Sequence, residues 1–177
     1  METLTSEKRA AVEKALRDDP GGVLEYLARE HGVTPAEIVS CLPEDQATTV
    51  PGSRFEEVMA EMTSWGEVTF LVHTDDVILE CKAAIPPGSS ARGFFNLHGA
   101  PLGGHLKADN CASISFVSRP LFTSDTRSVQ FHNRDGGCMF KVYLGRDENR
   151  ALIPAQVAAF ERLRDRLATA RGAASGT

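Results

Sequence analysis

The chain has 177 residues, 42% of them hydrophobic and 24% charged, and a formal net charge of −5. This length suffices to bury the core of one domain, with or without an appendage. No apolar run approaches the roughly 18 residues that span a bilayer, and the first residues lack the basic and then apolar order of a signal peptide, so we expect a cytoplasmic protein without a membrane partner.

Residues 1–50 form an acidic, helical segment. They contain ten Asp and Glu against five Lys and Arg, so they carry the whole net charge of the chain. Apolar residues recur at steps of three and four, and the stretch "DDPGG" ends a first helix and precedes a second. Gly32 then ends the second helix, and Thr34, Pro35 and Glu37 form the capping box of a third.

The second and third helices resemble a helix-turn-helix, a motif that often reads DNA. The last helix of this pair, "TPAEIVSCL", contains no Arg, Lys, Asn or Gln to contact bases or phosphates, and its surroundings are acidic. The sequence therefore argues against nucleic acid as a partner. It favours a helical cover or a module that docks another protein.

A fourth helix is predicted to begin near residue 53. Ser53 is the expected N-cap, with Glu56 at the third helical position. Five residues share the apolar face of this helix at steps of three or four: Phe55, Val58, Met59, Met62 and Trp65. After Gly66 the apolar period changes to two, which predicts strands.

Roughly seven short strands follow. "EVTFLVHT" and "DVILECKA" are predicted to form a hairpin across Asp75 and Asp76. The stretches "GFFNLH", "GHLKA" and "CASISFVSR" come next, and "RSVQFHN" and "GCMFKVYLG" are joined at Asp135-Gly136, where a two-residue turn requires positive φ. Because the connections are too short for helical crossovers, the sheet is predicted to be mostly antiparallel.

Pro154 begins a closing helix, and a tail of residues 171–177 is expected to be disordered. The whole pattern predicts an α+β fold, in which a large antiparallel β-sheet follows N-terminal helices and precedes a C-terminal helix. We divide the chain into an N-terminal helical segment (1–50), an α+β region (51–170) and the tail (171–177).

The four cysteines and five histidines are the residues most able to carry chemistry. The cysteines have no C-x-x-C spacing, which favours buried thiols over metal ligands. His31 lies at a helix end, where a cation is favourable, His132 is expected at a solvated strand end, and His98 ends a strand. His73 and His105 lie inside apolar strand patterns, where a histidine is more often hydrogen-bonded than a ligand. Because no catalytic motif occurs, no catalytic residue is assigned.

Several motifs, taken in order, resemble the ChuX/HutX family of cytosolic haem-utilisation proteins. The similar stretches are "WGEVTFLVHTDDVILECKAAIPPG", "RGFFNLHG", "GGHLKADNCASISFVSRPLF" and "KVYLGRDENRALIPAQVAAFERLR". This resemblance implies a fold akin to half of the larger ChuS/HemS haem proteins. It also implies a homodimer built by the pairing of sheets, and reversible binding of haem.

In that family, the two histidines proposed to meet haem iron fall on the positions of His73 and His105. Imidazole nitrogen is a common axial ligand of haem iron, and the glycines before His105 would let the flat macrocycle approach the backbone. Chemistry and neighbourhood, rather than a family motif, assign six further residues to the haem: Phe94, Phe95 and Phe116 as an apolar wall, and Arg92, Arg119 and Lys107 as partners of the propionates.

The sequence departs from the family pattern at two positions. Phe94 stands where a tyrosine often occurs, and His98 stands where an arginine is familiar. His98 therefore competes with His105 as the iron ligand. The closer match of "GGHLKADNC" to the family favours His105.

This resemblance and the helix-turn-helix-like N-terminus together suggest three functions. The leading one is an intracellular haem carrier, not an enzyme, that passes haem to a downstream haem-degrading or iron-releasing protein. The alternatives are a haem-degrading enzyme and a haem-responsive DNA-binding regulator.

Overall fold

A computed structural model describes residues 4–174 and contains five α-helices in this range. They are α1 (Ser6–Asp18), α2 (Leu24–Glu30), α3 (Pro35–Ser40), α4 (Phe55–Met62) and α5 (Pro154–Ala174). The predicted break at "DDPGG" separates α1 from α2. Helix α5 continues to Ala174 and so enters the predicted tail, whose residues 175–177 lie outside the described range.

The ends of the short helices follow their sequence signals, with one exception. Gly32 has a φ of +58° after α2, and Thr34 and Glu37 form both bonds of the predicted capping box at α3. The prediction for Ser53 was wrong: residues 52–54 form a 3-10 turn, and α4 has no side-chain cap. The apolar face predicted for α4 is confirmed, since Phe55, Met62 and their partners on that face are buried.

Nine strands make up two sheets in the same range. The strands are β1 (Ala47–Pro51), β2 (Glu67–His73), β3 (Ile78–Ala84), β4 (Gly88–Ala91), β5 (Phe94–Leu97), β6 (Gly104–Leu106), β7 (Cys111–Leu121), β8 (Ser124–Asn133) and β9 (Cys138–Tyr143). The large sheet has the order β1-β7-β8-β9-β2-β3, and the small sheet has the order β4-β5-β6. All these pairs are antiparallel.

The α+β class and the large antiparallel sheet are as predicted, but two strands were not foreseen. Strands β1 and β4 lie in stretches that the sequence analysis left as loops. The strands from residue 88 to residue 106 also leave the large sheet and pair only with one another. One broad sheet was expected, and two are found.

The turn between β8 and β9 is one residue longer than predicted. Asn133 and Gly137 pair across it, so the loop consists of residues 134–136, and Gly136 has a φ of +84°. A three-residue loop with glycine in the left-handed region is a common hairpin connection. The positive φ predicted for Gly136 is therefore confirmed, whereas the two-residue length was wrong.

The main core lies between one face of the large sheet and a layer formed by α4, α5 and the small sheet. Phe140 stacks between Phe70 and Phe131, with ring centroids 4.8 and 4.3 Å away. Phe55 brings α4 onto this stack, and Phe160 brings α5 onto Trp65. The alternation of each strand sends the other residues to the opposite face of the large sheet.

That opposite face is polar, and the N-terminal helices cover part of it. Helices α1, α2 and α3 bury their own apolar residues in a second cluster, which meets the large sheet at Val117. The N-terminus of α3 docks on the β8–β9 turn, where Ala36 donates its backbone N–H to the carbonyl of Gly136. Within residues 4–174, none of the helices combines the length and apolar character needed to cross a membrane.

Candidate functional site

His105 lies on the outer face of the small sheet. Its neighbours Gly104 and Leu106 form β6 with it, and Leu106 packs against the main core. Since side chains alternate along a strand, the imidazole of His105 points away from the core, and it is exposed to solvent.

Asn96 selects the tautomer of the His105 ring. The two residues are direct partners across β5 and β6, and His105 Nδ1 lies 2.6 Å from Asn96 Oδ1. Asn96 Nδ2 donates to the backbone carbonyls of Ser89, Ala91 and Phe94 at 3.1–3.2 Å, so Oδ1 is the amide atom that faces the ring. An amide oxygen only accepts, and His105 Nδ1 must therefore carry a hydrogen. In the neutral ring, the lone pair of Nε2 is then free and faces solvent.

Other predicted residues share this outer face or its rim. Phe94 is 36% exposed and meets the His105 ring edge-on at 5.9 Å. His98 lies two residues beyond Asn96 and contacts Ser89 Oγ through Nε2 at 2.8 Å. Lys107 follows β6 and is exposed, and Arg92 is exposed in the β4–β5 turn with a φ of +56°. These residues together form a shallow aromatic and basic surface, which we call the outer face.

Phe95 and Phe116, in contrast, belong to the main core. Phe95 is 4% exposed and packs edge-on against Phe55 at 5.5 Å. Phe116 is 1% exposed and packs against Phe160 at 5.3 Å. Their side chains stabilise the layers beneath the outer face, and neither presents a surface to a ligand there.

His73 lies on the opposite side of the core from His105. Val68 and Phe70 of β2 point into the main core, so His73, at an odd position, points to the covered polar face of the large sheet. There its Nδ1 is 3.5 Å from Glu25 Oε2, and its ring meets Tyr26 edge-on at 5.5 Å. The two predicted iron ligands are therefore not brought together within one chain.

Glu25 links α2 to the large sheet through Lys141. The Lys141 ammonium lies 2.5 Å from Glu25 Oε1, and both side chains are almost fully buried. Burial is the largest single influence and raises the pKa of Glu25, but the charge and hydrogen bond of Lys141, with smaller contributions from the backbone and His73, together outweigh it, so the net pKa is below the usual value. The pair is therefore ionised at neutral pH, and it holds the helical cover on the polar face.

Arg119 also joins the N-terminal segment to the large sheet. It is 5% exposed, and its terminal nitrogens donate to the carbonyls of Pro20 and Gly22 at 2.7 and 2.8 Å. This position is on the covered polar face and not on the outer face with His105. Arg119 is thus separated from Arg92 and Lys107, with which it was grouped in the sequence.

The remaining histidines differ in how well they were predicted. His31 is the C-cap of α2, as expected. The prediction for His132 was wrong, because its side chain is fully buried under the N-terminal cover and its two ring nitrogens have no hydrogen-bond partner. Burial lowers the pKa of His132 to about 4, so the ring is neutral. The alternation of β8 does place His132 on the face opposite the main core, but the N-terminal helices cover that face and exclude solvent from it.

The part of the chain that the structure describes contains no group of three or more His, Cys, Asp or Glu side chains able to hold a bare metal ion. Cys41, Cys81, Cys111 and Cys138 are free, and burial raises the pKa of Cys111 to about 11 and of Cys138 to about 12. These two thiols are protonated at neutral pH and unreactive. An exposed imidazole with one free nitrogen instead suits a metal that arrives already held by another ligand set, as in a metalloporphyrin.

Asn96 is the residue of this site that sequence reasoning missed. An asparagine is disfavoured inside a strand, and its place in "GFFNLH" was a signal of a special role. Only the register that sets Asn96 opposite His105 shows what that role is.

Comparison with known proteins places these features in a family. Residues 48–163 match the family described as haem utilisation ChuX/HutX. The chain is 38% identical over 152 residues to the protein named intracellular heme transport protein HutX from Vibrio cholerae. The matched region covers 85% of this chain and 79% of that protein.

Solved structures give the same result. A protein from Erwinia carotovora is 41% identical with a TM-score of 0.85, covering 88% of this chain and 98% of its own. The heme-binding protein ChuX is also 41% identical, with a TM-score of 0.81 and the same coverage. ChuS, described as an Escherichia coli heme oxygenase, is only 14% identical, but its TM-score is 0.72 over 85% of this chain and 48% of its own. The expected likeness to half of that larger fold is confirmed.

Proposed function

The chain belongs to the ChuX/HutX family of haem-utilisation proteins, and from this we propose that it is an intracellular haem carrier. It binds haem reversibly and delivers it to a downstream protein that degrades haem or releases its iron. The relatives named a heme transport protein and a heme-binding protein support this role, and both are covered over more than three quarters of their length.

The observation that carries the proposal is the fixed tautomer of His105. The amide of Asn96 holds hydrogen on Nδ1, so Nε2 presents its lone pair to the open side of the small sheet. Imidazoles that bind metals commonly have their second nitrogen held by such an acceptor, because it orients the ring and raises the basicity of the ligating nitrogen. His105 is therefore our proposed axial ligand.

The rest of the outer face suits the cargo. A porphyrin is flat and apolar with two carboxylates at one edge, and the partly exposed ring of Phe94 beside His105 offers it an apolar contact. The exposed cations of Lys107 and Arg92 stand at the rim, where they can pair with propionates. A shallow, open surface of this kind leaves much of the haem accessible to an acceptor protein, as transfer requires.

His73 can join the same iron only through a second copy of the chain. We propose a homodimer in which the covered face of one copy comes near the outer face of the other. Because the His73 side chain is only 7% exposed and lies against Glu25, it supplies the second axial position only when α2 moves aside. The family resemblance supports pairing of the chains. Light scattering at micromolar concentration tests it, and a monomer with a six-coordinate haem spectrum would exclude His73 as the second ligand.

Haem titration of histidine variants tests the ligand assignment. We expect wild-type protein to show a Soret band that saturates, and His105→Ala to weaken haem binding by about 100-fold with an altered visible spectrum, because the nitrogen donor is lost. His98→Ala is the matched control from the same face and should change affinity little. A spectrum that is lost in His98→Ala but kept in His105→Ala would move the ligand to His98.

A second measurement separates a carrier from an enzyme. Incubation of the haem complex with a reductant and oxygen should leave the Soret band in place for a carrier, and transfer should follow only when an acceptor haemoprotein is added. Loss of the band with formation of a linear tetrapyrrole would show that the protein degrades haem. A DNA-reading role has little support, since α3 has no Lys or Arg and its N-terminus is docked on the β8–β9 turn.

A further inference from the structure

A cavity of about 200 Å³ lies between α2 and the polar face of the large sheet. It is separate from the outer face, since neither His105 nor any other residue of the small sheet lines it. A wider groove of about 370 Å³ continues from it along the same face and shares Leu121 and Tyr143 with it. The cavity therefore has an opening toward solvent.

The floor of this cavity has an unusual composition for a surface under helices. Sheet positions covered by helices are normally apolar, because burying polar groups without partners costs free energy. Here three neighbouring strands place polar side chains that are each at least nine-tenths buried: Arg119, Thr126, Ser128, Gln130 and Lys141. Groups of buried polar residues in a cavity are typical of a binding site.

Arg119 is the group that calls for an anion. Its terminal nitrogens donate only to neutral backbone carbonyls, and among the described residues no carboxylate forms an ion pair with it. Its Nε is buried and has no hydrogen-bond partner. Burial lowers the pKa of Arg119, and Asp19 and Glu25 raise it only through space. The guanidinium thus has a charge without a contacting anion and an unused donor at the wall of a cavity, and an external anion would suit both.

Lys141 and Tyr143 also line the cavity beside Arg119. The Lys141 ammonium pairs with Glu25, so these two residues together add no net charge. Glu80 lies at the mouth of the cavity and is exposed to solvent. Tyr143 lines the cavity next to both cations, which lower the pKa of its hydroxyl against the larger raising effect of burial. The phenol is therefore protonated and able to donate to an anion held by Arg119.

Aliphatic side chains also line the cavity. Leu24 of α2 lies over the sheet, and Leu71, Val117 and Leu121 lie on the sheet beside the polar residues. From this mixed lining we infer that the cavity binds a small carboxylate with an apolar body. The carboxylate contacts Arg119 and Tyr143, and the apolar part lies against the aliphatic side chains. His73 lines this cavity but His105 does not, so the site is separate from the outer face and adjoins the proposed second axial ligand.

Calorimetric titration with octanoate tests this inference, with octanamide as the uncharged analogue of the same shape. We expect octanoate to bind saturably with a dissociation constant on the order of 1 mM or lower, and octanamide to bind at least about tenfold more weakly. Arg119→Gln removes the charge and should weaken octanoate binding by about tenfold or more, and Tyr143→Phe by several-fold. Arg127→Gln removes an arginine that does not line the cavity and should have no effect.

Arg119 also holds the loop before α2, so Arg119→Gln can lose stability for a reason unrelated to the ligand. Tyr143→Phe lacks this complication and keeps the test decisive. If octanoate does not saturate the wild-type protein, or if Tyr143→Phe binds it as tightly as wild type, the inference is wrong. Octanamide binding as tightly as octanoate would also overturn it. His105→Ala should bind octanoate normally, and displacement of octanoate by haem would show that the two sites are one. Failure of haem binding, seen in the Soret band, leaves the octanoate result unaffected.

Discussion

The outer face of the small sheet and the covered face of the large sheet both present histidine, but they surround the imidazole in opposite ways. His105 is exposed to water, and one of its nitrogens is held by an amide that is itself held by three carbonyls. His132 is fully buried, and neither of its nitrogens has a partner. The ring of His105 thus has a hydrogen-bond partner although it is exposed, whereas the buried ring of His132 has none.

This contrast separates a ligand from a structural residue more clearly than burial or sequence context does. A ring that must bind metal needs one nitrogen fixed and the other free, and the outer face supplies both conditions. A ring that only fills space needs neither, but its unpaired nitrogens reduce stability. Three sets of variants test this contrast.

His132→Leu should change the pH dependence of stability most. The pKa of His132 is about 4 in the folded protein and near 6.5 in the unfolded chain, so as pH falls below 6.5 the unfolded state takes up a proton that the folded state does not. The wild-type free energy of unfolding therefore falls with decreasing pH, by about 3 kcal/mol between pH 6.5 and 4 from this residue alone. The leucine variant lacks this component.

Urea unfolding between pH 7 and 5 measures the effect while Glu25 stays ionised. At pH 7 the leucine variant should be at least as stable as wild type, since the change removes two unpaired nitrogens and leaves an apolar side chain of similar size. The gap between the two proteins should widen toward pH 5 by about 2 kcal/mol. Parallel pH profiles would mean that His132 is hydrated or paired, and the contrast with His105 would fail.

Gly136→Ala and Gly93→Ala compare two turns: the β8–β9 turn, which contacts α3, and the β4–β5 turn of the small sheet. Both glycines have positive φ, +84° and +80°, but a Cβ at Gly136 would lie 2.5 Å from Thr34 Oγ1, whereas one at Gly93 would meet nothing within 4 Å. We expect Gly93→Ala to cost about 1 kcal/mol for backbone strain alone. Gly136→Ala should cost about 2 kcal/mol or more, because it also displaces the start of α3.

Thermal and urea unfolding give both values, and haem titration gives the second readout. Gly136→Ala should leave the haem spectrum unchanged, because the outer face lies on the other side of the core. Equal losses of stability for the two alanines would show that Thr34 moves aside freely and that the cover is only loosely docked.

Asn96→Leu should produce the smallest free-energy change and the most specific one. Loss of the acceptor frees the His105 ring to rotate and to exchange tautomers, which should lower haem affinity by about tenfold. Asn96→Asp keeps an oxygen acceptor and should restore most of the affinity. Resonance Raman spectra and the haem reduction potential should shift in Asn96→Leu, and a variant that loses stability but keeps the wild-type spectrum would give Asn96 a purely structural role.

Local signals in the sequence were enough for most of the elements. The capping residues of α3, the apolar face of α4 and the hairpin at Asp75 and Asp76 depend on neighbours within a few positions, and all are found. Strand β1 contains Pro51, and β4 consists of small residues, two of them serines, so neither shows an apolar alternation. Both are strands because another segment pairs with them, a distant one for β1 and the adjoining one for β4. The apolar periodicity of a segment cannot predict such pairing.

Only part of the predicted site residues share a surface, and their arrangement was not predictable. His105, His98 and Phe94 do share one face. The assignment of Phe95 and Phe116 to the same wall failed because neighbouring strand residues point to opposite sides. The separation of His73 from His105 depends on the folding of two sheets around one core, and the role of Asn96 depends on register.

The small sheet has one more property, which concerns how the chain opens. All its strand pairs join residues between 88 and 106, whereas β1 and β7 of the large sheet pair residues more than sixty positions apart. Closing such a short segment loses little chain entropy, so it can unfold and reform while the long-range ladders persist. The side chains of Phe95 and Leu97 are its main attachment to the core. We expect its amides to exchange with deuterated solvent sooner than those of β7 and β8, so the surface that would hold the cargo is also the surface that loosens first.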